Sequence, residues 1–188
     1  MRPMLALLAP LVLSACSGAG QPGETASSLP ASAAPPPVAH KVSAQATLAP
    51  TQGNSAAGTL TVEAESQGLR VRGELRGLGA SAEHGFHIHE KGDCSAADAS
   101  SAGGHFNPQA KGHGKPDSAE HHAGDMFNVV ADAQGAGRVD ALVAGVTLRD
   151  GAATDVLGKA IVLHEKADDY VSQPAGDSGK RIACGVIQ

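Results

Sequence analysis

Residues 84–125 read HGFHIHEKGDCSAADASSAGGHFNPQAKGHGKPDSAEHHAGD, and two kinds of backbone are written in them. GFHIH at 85–89 reads as a strand. Strand side chains alternate faces, so His87 and His89 project to the same side and can grip one ion. From Gly103 to Asp125 the chain is crowded with Gly, Pro, Asn, Lys and Asp, neither a period of 2 nor of 3.6 survives, and a long loop follows. His105, His113, His122 and Asp125 recur along that loop, where a bound metal would supply the order that missing apolar residues cannot. Of the nine histidines in the chain, seven lie in this stretch (His84, His87, His89, His105, His113, His121, His122), and His164 opens a second polar run, HEKADD, at 164–169.

Outward from that stretch, short apolar bursts recur: VSAQATL at 42–48, GTLTVEAE at 58–65, LRVRGEL at 69–75, NVVAD at 128–132, GRVDALV at 137–143, KAIVLH at 159–164 and RIACGVI at 181–187. Turn signals such as TQGN, ESQG, DAQGAG and RDG separate them. With GFHIH they make eight short strands and no helical period of useful length, which predicts an all-β sandwich or barrel. Aromatic residues make up only 2% and Trp is absent, so the core is aliphatic and modest, and a staple would help it.

The N-terminal side is organised differently. Residues 1–15, MRPMLALLAPLVLSA, carry one Arg and an apolar run too short to span a membrane, and they read as an export signal. The ending LSAC resembles the bacterial lipoprotein signal, in which the chain is cut before the Cys and Cys16 is acylated. Residues 16–41 are dominated by Gly, Ala, Ser and Pro and read as a flexible linker. A single domain is expected over 42–188. With Cys16 carrying lipid, Cys94 and Cys184 remain as a pair in an exported chain, where disulfides persist. Their bridge would close a loop of about ninety residues, for which chain entropy sets an upper figure of roughly 4 to 5 kcal/mol.

The formal net charge of -5, with no basic stripe, speaks against a nucleic-acid partner. A zinc hydrolase lacks its H-E-x-x-H. A metal-storage or copper-handling protein would explain the histidines without turnover.

Six motifs then occur in order: GFHIHEKGDC, SAGGHFNP, HGKP at 113–116, HAGD at 122–125, HEKADD and RIACGVI. Together they resemble the copper,zinc superoxide dismutases across 42–188, in their bacterial exported type. The resemblance implies an eight-stranded Greek-key β-barrel with a long metal-binding loop. It implies one copper per subunit at His87, His89, His105 and His164, and one zinc at His105, His113, His122 and Asp125, so that His105 bridges both. Asp168 would hydrogen-bond a histidine of each site, and Arg181 would pair with the anionic substrate, superoxide. Turnover would belong to copper, with His105 carrying a proton. Lys166 and Lys180 would extend the positive patch, while His84 and His121 match no ligand and are expected on the surface. A homodimer is among the arrangements implied. The lipid on Cys16 would hold the protein on the periplasmic side of a bacterial membrane, with Ser17 resembling signals for the outer one.

Overall fold

Alternation in GTLTVEAE and LRVRGEL becomes two nine-residue strands in the computed structural model, which describes residues 41–188. Cys16 and the leader and linker expectations up to residue 40 lie outside the described residues. The strands are β1 (Ser43–Pro50), β2 (Ala57–Glu65), β3 (Gly68–Arg76), β4 (Glu83–His84), β5 (Phe86–His89), β6 (Val129–Val130), β7 (Gly137–Ala144), β8 (Ala160–His164) and β9 (Arg181–Val186). One 3-10 turn, Ser100–Ala102, is the only helical segment among the described residues.

Seven strands form an antiparallel sheet in the order β5-β8-β9-β1-β2-β3-β7, and β4 pairs with β6 separately. The β4–β6 ribbon links the two edges of the large sheet, because β4 runs into β5 across Gly85 while β6 leads to β7 through an Ala131–Gly137 bridge. The chain crosses from one end of the sheet to the other after β3 and again after β7, as a Greek-key barrel requires. All eight predicted strands are present, with two corrections. The strand at 128–132 shrinks to two residues. GFHIH is preceded by a separate strand, because Gly85 changes partners: its N–H donates to the Lys166 carbonyl and its carbonyl accepts from His164.

Ala44, Ala46 and Leu48 of β1, Leu60 and Val62 of β2, and Leu69, Val71 and Leu75 of β3 all face the main core. Each fully buried Leu, Val or Ile contributes roughly 1.5–3 kcal/mol relative to exposure. β8 does not alternate, since it is buried on both faces: Ile161 and Leu163 enter the main core, while Ala160 and Val162 pack with Ala99, Ala102 and Cys184 in a second cluster. That second cluster lies under the Cys94–Cys184 disulfide, whose Cα atoms are 5.8 Å apart. The predicted staple therefore pins the segment before the long loop to β9.

Candidate metal centre

The centre is built on β5. Phe86 and Ile88 enter the core, so the alternate residues His87 and His89 face the other way, both almost fully buried. The long loop begins and ends as an extra layer on this strand. Phe106 N–H donates to the Ile88 carbonyl at 2.8 Å and Ile88 N–H to the Gly124 carbonyl at 2.9 Å, setting His105 opposite His89 and Asp125 opposite His87. Gly124 is required here, because a Cβ would lie 2.3 Å from the Ile88 carbonyl oxygen. His164 arrives from the end of β8, where the register with β9 shifts between Leu163 and His164.

The result is two clusters sharing one residue: His87, His89, His105 and His164, and His105, His113, His122 and Asp125. In each, the potential ligand atoms lie within 4.8 Å of one another. Every residue that the motifs single out as a ligand is brought together.

The hydrogen bonds show which atoms face inward. His87 Nε2–H donates to Asp168 Oδ2 at 2.7 Å and His113 Nε2–H to Asp168 Oδ1 at 3.0 Å, so one carboxylate orients a ring from each cluster. His89 Nδ1–H donates to the Gly103 carbonyl at 2.9 Å and His164 Nδ1–H to the Gly179 carbonyl at 3.3 Å. With those N–H groups used outward, the inward nitrogens carry lone pairs. His89 Nε2 and His164 Nε2 then face each other at 3.4 Å, two acceptors that only a cation between them would reconcile. His87 Nδ1, His105 Nε2 and His113 Nδ1 are buried with no hydrogen-bond partner. His113 Nδ1 lies 3.1 Å from Asp125 Oδ2 without a hydrogen bond to it, as two ligands of one ion would. Orphaned buried acceptors are costly unless something binds them, and metal ions fit these sets.

Protonation agrees. Burial pushes His89 down to about 2, His164 to about 3 and His105 to about 4, and lowers His87 as well, so these rings are neutral and ready to bind metal at pH 7. His113 is the exception. Burial lowers it, but the Asp125 carboxylate beside Nδ1 and the hydrogen bond from Nε2 to Asp168 outweigh that and raise it to about 9 in the metal-free protein. Burial would raise both carboxyls, yet their histidine partners hold Asp125 and Asp168 well below the usual range.

A cavity of about 290 Å³ opens onto the first cluster, lined by His89, His105, His164, Pro174 and Arg181. Arg181 is half-buried, and burial lowers its pKa from a high starting value. Its Nη1 donates to the Ala99 carbonyl and its Nη2 to the Gly103 carbonyl, both at 2.6 Å, so the guanidinium is held at the mouth. Lys166 and Lys180 are exposed, and Lys180 lines a neighbouring groove with Arg181 and Asp98.

Two expectations need correction. His84 is 4% exposed rather than on the surface, and its Nδ1–H donates to the carbonyl of His164 at 2.8 Å. It turns inward because β4 alternates, with Glu83 exposed and His84 on the buried face. His121 is half-buried, with Nδ1 bonded to the His122 carbonyl at 2.7 Å. Sequence reasoning also missed Asn128 and Gln173. Asn128 bonds both the N–H and the carbonyl of Asp168, and Gln173 does the same for His113. Neither carries a spacing signal, since their work is done on backbone atoms far away in sequence.

A family model described as copper/zinc superoxide dismutase (SODC) matches residues 56–187. Superoxide dismutase [Cu-Zn] 2 of Aquifex aeolicus (strain VF5) is 43% identical over 148 residues, covering 77% of this chain and 86% of that protein. Extracellular superoxide dismutase [Cu-Zn] of Caenorhabditis elegans is 38% identical over 141 residues, covering 69% and 60%. The crystal structure of a SOD-like protein from Bacillus subtilis matches with a TM-score of 0.70 at 37% identity, covering 77% of this chain and 97% of that one. By the extent of the family match and the identity to these relatives, the chain belongs to the copper/zinc superoxide dismutase family.

Proposed function

We propose that this chain converts superoxide to oxygen and hydrogen peroxide, with copper held by His87, His89, His105 and His164 and zinc by His105, His113, His122 and Asp125. The observation that carries the reading is the His105 ring. It belongs to both clusters, with Nδ1 2.7 Å from Asp125 and Nε2 buried and unpartnered on the other side. Four imidazoles suit copper in both oxidation states, and three imidazoles with one carboxylate suit a closed zinc site. Bound copper supplies one-electron transfer in both directions, whereas zinc is redox-silent.

The protein's own groups do the rest. Two superoxide anions and two protons give one O2 and one H2O2; His105 Nε2 is placed to hand over one proton, and water supplies the other. Arg181 offers its charge to the anion in the cavity. Asp168 fixes the tautomer and orientation of His87 and His113. A storage protein would have no use for an arginine locked at the mouth of one cluster. Metal analysis with a superoxide-consumption assay on the full chain is the test: one copper and one zinc with rapid consumption are expected, and metal binding without consumption would leave storage as the function.

The location belongs to the same proposal. A single Arg, a short apolar run and LSAC support acylation of Cys16 and attachment to the periplasmic side of a bacterial membrane, the outer one by Ser17. Mass spectrometry of the membrane-bound chain should find lipid on Cys16, and an unmodified, soluble chain would overturn the anchor. For the homodimer that the family resemblance allows, sedimentation of the full chain is the test.

A further inference from the structure

The segment from Asp168 to Gly176 holds His113 in two places at once. Asp168 Oδ1 accepts from the His113 ring at Nε2, 3.0 Å away. Five residues later the Gln173 carboxamide lies against the His113 backbone: its Oε1 accepts from His113 N–H at 2.9 Å and its Nε2 donates to the His113 carbonyl at 2.9 Å. Among the described residues these are the partners found for both backbone groups, and His113 is only 4% exposed. The carboxamide thus does for one loop residue what a neighbouring strand does for a whole ladder.

The segment is shaped to deliver that side chain. Asp169 accepts from the N–H groups of Val171 and Ser172 and from the Ser172 hydroxyl, and Asp169 N–H donates to the Gly176 carbonyl, closing a tight turn with Gln173 at its tip. Gly176, at φ +66°, folds over the Asp168–His113 contact, where a Cβ would lie 1.8 Å from Asp168 Oδ1 and 2.8 Å from His113 Nε2. The next residue after Gln173, Pro174, lines the cavity with His89, His105 and Arg181. Gln173 therefore stands where the chain leaves one cluster and becomes a wall of the other.

We propose that Gln173 is a positioning residue for the zinc site, acting through the backbone of His113. This rests on the zinc assignment above. With the ring held only by Asp168, His113 could rotate about its own backbone and release its share of the ion. With the backbone held as well, Nδ1 is aimed at one point. Outer groups that orient a ligand typically govern metal affinity by about 10- to 100-fold.

The test uses the full chain loaded with zinc alone, with release timed by a chromophoric chelator. Gln173→Met keeps the shape and removes both hydrogen bonds to His113, together with a longer one from Nε2 to the Val171 carbonyl at 3.3 Å; zinc should leave about 10-fold faster, and Gln173→Ala should behave alike. With Co(II) in place of zinc, both variants should shift the visible absorption bands, which report ligand geometry and not general stability. Val171→Ala, at a 74% exposed position on the same turn, should leave release and spectrum as in the parent. Parent-like release and spectrum in Gln173→Met would overturn the inference. His113→Ala separates the two readings: if it still holds zinc, the zinc assignment has failed, whereas loss of zinc there beside parent-like Gln173→Met defeats only the role of Gln173.

Discussion

Arg181 and His89 share one acceptor: guanidinium Nη2 at 2.6 Å and imidazole Nδ1 at 2.9 Å both donate to the Gly103 carbonyl. The group that would meet the anion and a group that would hold the copper are thus registered to the same backbone atom. That atom follows the 3-10 turn, in a segment fastened to β9 by the Cys94–Cys184 bridge. Substrate and metal positions would in this way be set by one frame.

Arg181 should guide the substrate. The chain is acidic, so its averaged field repels an anion, and fast capture needs a local positive focus. Activity should fall with rising ionic strength, and Arg181→Ala should lose about 10-fold in rate and much of that salt slope. Arg181→Glu should be slower again, with copper content unchanged. Equal rates and slopes in all three forms would remove Arg181 from the route.

Replacing His105 should open both sites at once. Metal analysis of His105→Ala should show copper and zinc both weakened and activity down by about 100-fold or more, beyond the usual cost of losing an outer partner of a ligand. His113→Ala should lose mainly zinc. Normal turnover in His105→Ala is the result that ends the bridging role.

Cys94→Ser should destabilise the fold more than it weakens metal binding in the folded state, since a disulfide acts chiefly on the unfolded ensemble. A loss of about 2–4 kcal/mol is expected, or roughly 5–15 °C in melting temperature. An unchanged melting curve for the reduced parent would contradict this.

The metal-free protein should weaken in mild acid. His87, His89, His105 and His164 have folded pKa values below that of an exposed histidine, so below about 6.5 the unfolded chain binds more protons and stability falls with pH. His113 has the opposite sign: its contribution is complete below about 6.5 and is lost as pH rises through about 9, so it does not offset the acid loss. Melting of chelator-stripped protein at pH 7 and at pH 5 checks the sign, and a higher midpoint at pH 5 would refute it.

Much of this was legible in the residues. Alternation marked β1, β2, β3 and β7, and the two-residue step from His87 to His89 located the metal face, because a strand has only two faces to offer. The loop residues that gather in the second cluster could be picked out by type and by their match to the family motifs. Less could be read where a residue works through backbone atoms. His84 looked like a surface histidine because nothing in HGF announces the short strand that turns it inward, and the carboxamides of Asn128 and Gln173 act on residues 40 and 60 positions away. Such contacts depend on how two loops meet, which no local period records.

The layering of the long loop onto β5 bears on solubility as well as chemistry. β5 ends the large sheet, and the segments around Phe106 and Gly124 occupy its outward hydrogen-bonding groups only while the loop stays folded against it. Without ions to anchor that loop, Ile88 would show a bare N–H and carbonyl to solvent, a template on which a strand from another molecule can add. The metals would then act as a guard against association between chains. Light scattering from the stripped protein should rise faster than from the loaded one, and equal rates would show that the edge stays covered on its own.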